Sequence, residues 1–229
     1  MNSEEIADGV TIQRHPLSMA GCKLGRVVTS LRLADGRTLV HSTASFSPED
    51  VSSLKSCGEP SWLVEPTKIH DTCSAAGRAA FPEIPYLVPP TFDKATKLGS
   101  TLIGEAGSPW GEEIEVIELA GIPKLREHVF FHKPSRTLVV ADLIFNLPES
   151  AGAWTRGLLR LVSGMKSYPA TSRLFWFYTK DREALSDSLE RMLEWDFERV
   201  VVGHGDPITV DAKAKVTERL VGDGFLIRR

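Results

Sequence analysis

The sequence has little cysteine: Cys22, Cys57 and Cys73 in 229 residues, an odd number with no close pairing. That argues against a disulfide framework and for a reduced compartment. It also lacks a long apolar run, since nothing approaches the roughly 18 residues that would suggest a membrane-spanning helix. The first residues carry Glu4 and Glu5 and lack the basic and apolar blocks of a signal peptide. Charge of either sign is not in excess: 27 Lys and Arg against 30 Asp and Glu give a net charge of -3. With a pI near 6.1, the whole-chain balance gives no electrostatic reason to expect nucleic acid or an anionic membrane. No internal repeat or low-complexity stretch stands out. A cytoplasmic protein meeting a small molecule or a protein partner is the expectation, with no nucleic acid and no membrane involved.

What is present is ordinary for a globular chain: 42% hydrophobic and 25% charged residues, long enough to bury a sizeable core. Residues 1–24 are mixed and polar and read as a partly ordered lead-in, with one domain over residues 25–229. Residues 25–33 alternate and are rich in β-branched side chains, Asp35 and Gly36 form a turn pair, and residues 38–41 resume the strand, as a hairpin should. Ser47, Pro48, Glu49 and Asp50 are a helix start: hydroxyl cap, first-turn proline, then acids that suit the helix dipole. Short strands follow at residues 62–64 and 86–88, with a helix over 74–81 between them. Residues 91–111 read as a connecting segment and residues 113–119 as a half-buried strand. Residues 127–132 and 138–145 make a second hairpin. Helical spacing then covers 154–162 and 181–195, a strand covers 199–202, and a closing helix is expected over 207–220.

Two stretches carry chemistry. Residues 137–146 read as an apolar strand that delivers one carboxylate, Asp142, and residues 200–207 as an apolar strand ending in His204 between Gly203 and Gly205. A carboxylate can bridge cations and a neutral imidazole is a good zinc ligand. Glycines flanking such a histidine let the backbone turn sharply and leave room for metal or substrate. Each residue also has a plain structural reading. Asp142 can accept backbone N–H bonds at a strand end, and His204 can be a satisfied turn histidine. His70 can be a solvated loop residue, and Asp71 reads first as the cap of the helix after it. Cys73 beside His70 hints at a thiol nucleophile but lacks a third partner. His15, His41, His128 and His132 read as structural or exposed, and the aromatic run 175–178 as core. Gly203 and Gly205 make no phosphate loop.

The order of elements from about Gly25 to Leu220 resembles the metallo-β-lactamase fold superfamily. The features that carry the resemblance are the leading hairpin at Asp35 and Gly36, the hairpin ending at Asp142, and the terminal Gly203-His204-Gly205. The stretches 130–138 and 195–205 resemble a shorter branch of that superfamily. The resemblance implies an α/β fold, a four-layer αββα sandwich with the site where strands of both sheets end. It implies that Asp142 takes the place of the metal-bridging carboxylate and His204 that of the last histidine. The superfamily signature His-x-His-x-Asp-His falls on residues 66–73, where only His70 and the adjacent Asp71 remain. A further family histidine would fall near Pro123 and Lys124, where there is no ligand. Catalytic zinc takes about three protein ligands and an open position. Asp142 and His204 supply two, His70 or Asp71 a third, with Cys73 as a soft alternative. The expectation is a degenerate hydrolase holding one divalent metal (zinc, iron or manganese) and acting on an ester, thioester, amide or phosphoester. The alternative is a non-catalytic descendant that binds a small molecule or a protein, with one divalent metal or none.

Overall fold

The computed structural model describes residues 3–19, 21–104 and 107–227; Met1, Asn2 and Ala20 of the expected lead-in, Glu105 and Ala106, and Arg228 and Arg229 lie outside them. Strands β1 (Glu4–Ala7) and β2 (Val10–His15) form a hairpin, followed by a small ribbon of β3 (Ser18–Met19) and β4 (Cys22–Lys23). Strands β5 (Arg26–Arg32) and β6 (Arg37–His41) make the hairpin read around Asp35 and Gly36. Helix α1 (Pro48–Ser56) leads to β7 (Glu59–Val64), α2 (Ser74–Ala80) to β8 (Tyr86–Val88), and α3 (Ala95–Leu98) to β9 (Thr101–Leu102). These strands form one sheet in the order β1-β2-β5-β6-β7-β8-β9, parallel from β6 onward. The second sheet contains β10 (Ile114–Glu118), β11 (His128–His132), β12 (Thr137–Val139) and β13 (Arg199–Val201), in that order, with β13 parallel to β12. Helices α4 (Ala153–Val162), α5 (Arg173–Tyr178) and α6 (Arg182–Glu194) lie between β12 and β13, and α7 (Ala212–Gly222) follows.

The period-two alternation of the strands sorts their side chains into three cores. Val27 and Leu31 of β5, Leu39, Trp62 and Val64 face Phe130, Val139 and Val201 between the two sheets. Their neighbours Val28, Val40, Leu63 and Val88 face outward against Leu54 of α1 and the α2 region. On the other outer face Val129, Phe131, Leu138 and Val200 meet Leu185, Leu189 and Met192 of α6 and Val216 and Leu220 of α7. The layers are therefore α, β, β, α. Ser47 caps α1 in a full capping box with Asp50.

Four local expectations change. Residues 4–15 are an edge hairpin of the first sheet rather than a lead-in. Their pattern is masked because the inward Gln13 is buried and spends its amide on the Asp50 carbonyl at 3.0 Å. The strand into Asp142 ends at Val139, because the amides of Ala141 to Leu143 turn to a side chain instead of a neighbouring strand. Residues 91–111 carry α3 and β9. The closing helix starts at Ala212, since Ile208 first folds back and exchanges two backbone bonds with Val200.

Candidate metal centre

The carboxyl ends of β7, β12 and β13 converge on one edge of the sandwich, and each chain segment leaving them supplies one donor. His70 comes from the loop after β7. That loop is stitched down by Thr67 Oγ1 and Lys68 N, both donating to the Leu125 carbonyl at 2.8 Å, and by Pro66 O accepting from His128 N. Asp142 comes from the turn after β12 and His204 from the turn after β13. One donor atom from each of His70, Asp142 and His204 lies within 4.8 Å of the others, and all three residues are buried. His70 Nε2 is 3.4 Å from Asp142 Oδ2, and His204 Nε2 is 3.5 Å from Asp142 Oδ1. Two ligands of a tetrahedral ion at bond lengths of about 2.1 Å stand about 3.4 Å apart. The two histidine–carboxylate separations, each to a different Asp142 oxygen, match that span.

The hydrogen bonds point the same way. His204 Nδ1 faces the Gly25 carbonyl at 2.6 Å, and a carbonyl only accepts, so Nδ1 carries the proton. Nε2 then faces Asp142 Oδ1 at 3.5 Å, a contact that a cation between the two atoms would satisfy, as a proton on Nε2 would. His70 Nε2 and Asp142 Oδ2 are buried without a hydrogen-bond partner of good geometry. Burial, then the Arg26 charge, push His70 down to about 4 against the pull of Asp142, so its imidazole is neutral and free to ligate at neutral pH. Burial raises the Asp142 carboxyl, but the facing His70 and His204 outweigh it and hold it below the ordinary carboxylate range. Phe145 stacks on the His204 ring at 5.1 Å.

The glycines around His204 act differently from the expectation. A Cβ on Gly203 would stand 2.7 Å from the Ala141 carbonyl, and one on Gly205, at φ +114°, would overlap the Asn146 carbonyl. The room they leave is filled by the backbone that carries Asp142, with Asn146 N donating to His204 O and Asp206 N to Asn146 O. They lock two ligand turns together.

Asp71 and Cys73 stand apart from the three donors. Asp71 pairs with Lys94 at 3.0 Å and makes no side-chain helix cap, and Cys73 meets Ser45 Oγ at 4.0 Å. His15, His41, His128 and His132 are all buried, as structural residues should be, while in the run 175–178 Phe175 is core and Phe177 is exposed.

Three buried charged residues beside the triad escaped the sequence reading: Arg26, Glu65 and Glu127. Glu127 Oε1 accepts from Ala141 N at 2.8 Å and from Leu143 N at 3.2 Å, and both its oxygens accept from Asp142 N at 3.2 Å. It holds the turn that presents Asp142. Burial and the Asp142 charge push it up to about 8, against these amides, which favour its ionised form. Glu65 accepts from Thr43 Oγ1 at 2.6 Å and Tyr86 OH at 3.1 Å, and stands 3.8 Å from Arg26 Nη1. Burial pushes it up to about 7 against Arg26. The signal was an acid at each end of an apolar strand, which reads as an ordinary boundary.

Comparison with solved structures agrees with this fold. A metallo-β-lactamase from Pontibacter korlensis superposes with a TM-score of 0.64 at 12% identity, covering 96% of this chain and 97% of that one. The DIM-1 metallo-β-lactamase, in crystals exposed to ceftazidime, gives 0.64 at 12% over 97% of both chains, and TMB-1 gives 0.59 at 13% over 97% of both. No protein-family model matches the sequence, and no curated protein matches it. At such identities the likeness is one of fold, and the chain has the metallo-β-lactamase fold. Setting the last histidine of the signature on His70 puts Glu65, Thr67 and Ile69 in its other three places. Glu65 is bound to Thr43, Tyr86 and Arg26, and Thr67 to Leu125. That half of the site does not fit a second cation.

Proposed function

We propose that the chain is a mononuclear metal-dependent hydrolase in which His70, Asp142 and His204 hold one divalent cation, zinc, iron or manganese. The observation that carries the reading is the convergence of one buried donor atom from each of His70, Asp142 and His204 within 4.8 Å, with His70 Nε2 and Asp142 Oδ2 left without a hydrogen-bond partner. Three protein donors are also the usual complement of a catalytic rather than a structural zinc centre. When bound, such a cation polarises a carbonyl or phosphoryl oxygen and lowers the pKa of water toward about 7. The chain's residues supply the rest. Gly25 O fixes the His204 tautomer, Glu127 sets the Asp142 turn, and Phe145 excludes water from one face of the His204 ring. A cleft of about 450 Å³ runs past Leu17, Leu24, Leu147 and Pro148 to Gly25 and Gly205, beside His204, and offers a mostly apolar approach for an ester, thioester, amide or phosphoester.

A second reading, a non-catalytic descendant that binds a ligand or a protein, is favoured by one feature. The triad is nearly closed: the Asp142 side chain is 10% exposed and the two histidines less. Elemental analysis of the purified chain separates the readings at the first step. About one ion per chain, lost in Asp142→Ala and in His204→Ala with unchanged circular dichroism, is the expected result. Equal metal in parent and variants would overturn the site. Metal bound, with no turnover across ester, thioester, amide and phosphoester substrates, would leave the binding role.

A further inference from the structure

The charge balance of the whole chain hides a local asymmetry. Residues 150–180 contain no aspartate or glutamate, although the chain has 30, and they contain Arg156, Arg160, Lys166, Arg173 and Lys180. Four of these cations are exposed, and Arg156 lies over the Tyr168 ring at 5.1 Å. The same stretch carries five of the nine large hydrophobics exposed among the described residues: Trp154, Leu161, Val162, Leu174 and Phe177. Trp154, Leu161 and Phe177 are 70%, 77% and 70% exposed, far beyond an ordinary isolated surface side chain.

These residues belong to one surface. Trp154, Leu158 and Leu161 are spaced by four and three, so they share a face of α4. Arg173 N donates to Ser163 O at 2.9 Å, which sets the start of α5, with Leu174 and Phe177, against the end of α4. At the other end Lys23 N donates to Thr155 Oγ1 at 3.2 Å, bringing the β3–β4 ribbon, with its exposed Met19, alongside. An apolar ridge bearing Trp and Phe, on a stretch of chain rich in Lys and Arg whose carboxylate neighbour, Asp223, is spent on Thr171 and Arg219, has the composition of a segment that lies in a membrane interface.

We infer that the α4–α5 face docks the protein on the surface of a membrane rich in anionic phospholipid. No helix among the described residues is long and apolar enough to cross a membrane, so the docking is peripheral. Charge complementarity selects this occupant. A second copy meeting the face symmetrically would set cations against cations in a desolvated contact. An anionic leaflet attracts each Lys or Arg near its surface while the ridge enters the headgroup region.

The test is co-sedimentation of the full chain with vesicles of phosphatidylcholine, with and without phosphatidylglycerol. Binding should require the anionic lipid, weaken as salt is raised, and fall roughly tenfold or more in Arg160→Glu/Lys166→Glu and in Trp154→Ser/Leu161→Ser. Thermal unfolding should show all variants folded, because every changed side chain is exposed. Binding unaffected by both double variants would overturn the inference. So would failure to bind anionic vesicles, including the case in which light scattering shows a dimer that dissociates in Trp154→Ser/Leu161→Ser.

Discussion

Glu65 and Glu127 are both fully buried beside the same triad, yet they are held in opposite ways. Glu127 meets only neutral donors, three successive amides of the turn that carries Asp142. Glu65 stands against a buried guanidinium and two hydroxyls, and its Oε1 and the Arg26 Nε have no hydrogen-bond partner. One carboxylate organises backbone; the other closes a charge pair. A buried acid is therefore not one kind of feature, and what its removal exposes decides the cost.

The largest effect should come from Glu127→Leu, which orphans three buried amides. At about 1–3 kcal/mol for each unsatisfied group, the loss is on the order of 5 kcal/mol, comparable with the whole stability of a marginal domain. Glu127→Gln keeps one acceptor oxygen and stays foldable, with an expected loss of about 2 kcal/mol in urea unfolding. Because the Asp142 turn is displaced, metal binding should also weaken by about 10- to 100-fold. Wild-type affinity in Glu127→Gln would show that the amide grip does not position Asp142.

The Glu65 side breaks differently. Arg26→Met leaves a buried carboxylate without its cation, an expected cost of about 3–4 kcal/mol. Adding Glu65→Gln removes the stranded charge, so the double variant should recover most of that loss, a positive coupling in a double-mutant cycle. No single second-site change offers Glu127 the same rescue. Additive losses at Arg26 and Glu65 would mean that the 3.8 Å approach is not an energetic pair, and the contrast with Glu127 would collapse.

Much of this was legible before the structure, and the reasons differ by residue. The β5–β6 hairpin and α1 followed from alternation and from turn and cap chemistry at Gly36 and Ser47, all local signals, whereas the four-layer sandwich was what the resemblance implied. His70, Asp142 and His204 lie close together in the fold, although 72 and 62 positions separate them in sequence; the resemblance to a known architecture carried that reading, because periodicity says nothing about which loops meet. Arg26, Glu65 and Glu127 were not legible, since their burial depends on partners from other strands: Thr43, Tyr86, the amides at 141–143. The β1–β2 hairpin was missed for a related reason, as Gln13 is polar on the face that α1 covers and is satisfied by the Asp50 carbonyl, Ser3 and His15. The function of the two glycines at 203 and 205 was misread because the space they leave belongs to a neighbouring turn, which the sequence cannot see.

A neutral anchor on the strand that follows Glu127 gives the baseline for both acids. His132, at the far end of β11, is buried with Nε2 facing the Arg32 carbonyl at 3.0 Å and Nδ1 facing Ser135 Oγ at 2.7 Å. The carbonyl accepts, so Nε2 carries the proton, while the Ser135 hydroxyl beside Nδ1 donates to Thr137 Oγ1. Burial lowers its pKa against the pull of the Arg32 carbonyl, Glu113 and Asp8. Below about 6.5 the unfolded chain gains a proton that the folded one does not, so the contribution of His132 is full above that pH and is lost as the pH falls. Between pH 6.5 and 5.5 the loss is at most about 1.4 kcal/mol, the smallest effect in the series. His15, His41 and His128 share the sign, so the parent's acid limb has several sources and only a difference isolates one of them. His132→Gln should therefore start lower at pH 7.5 and converge on the parent as the pH falls to 5.5. Parallel curves would mean that the folded His132 titrates as it does in the unfolded chain.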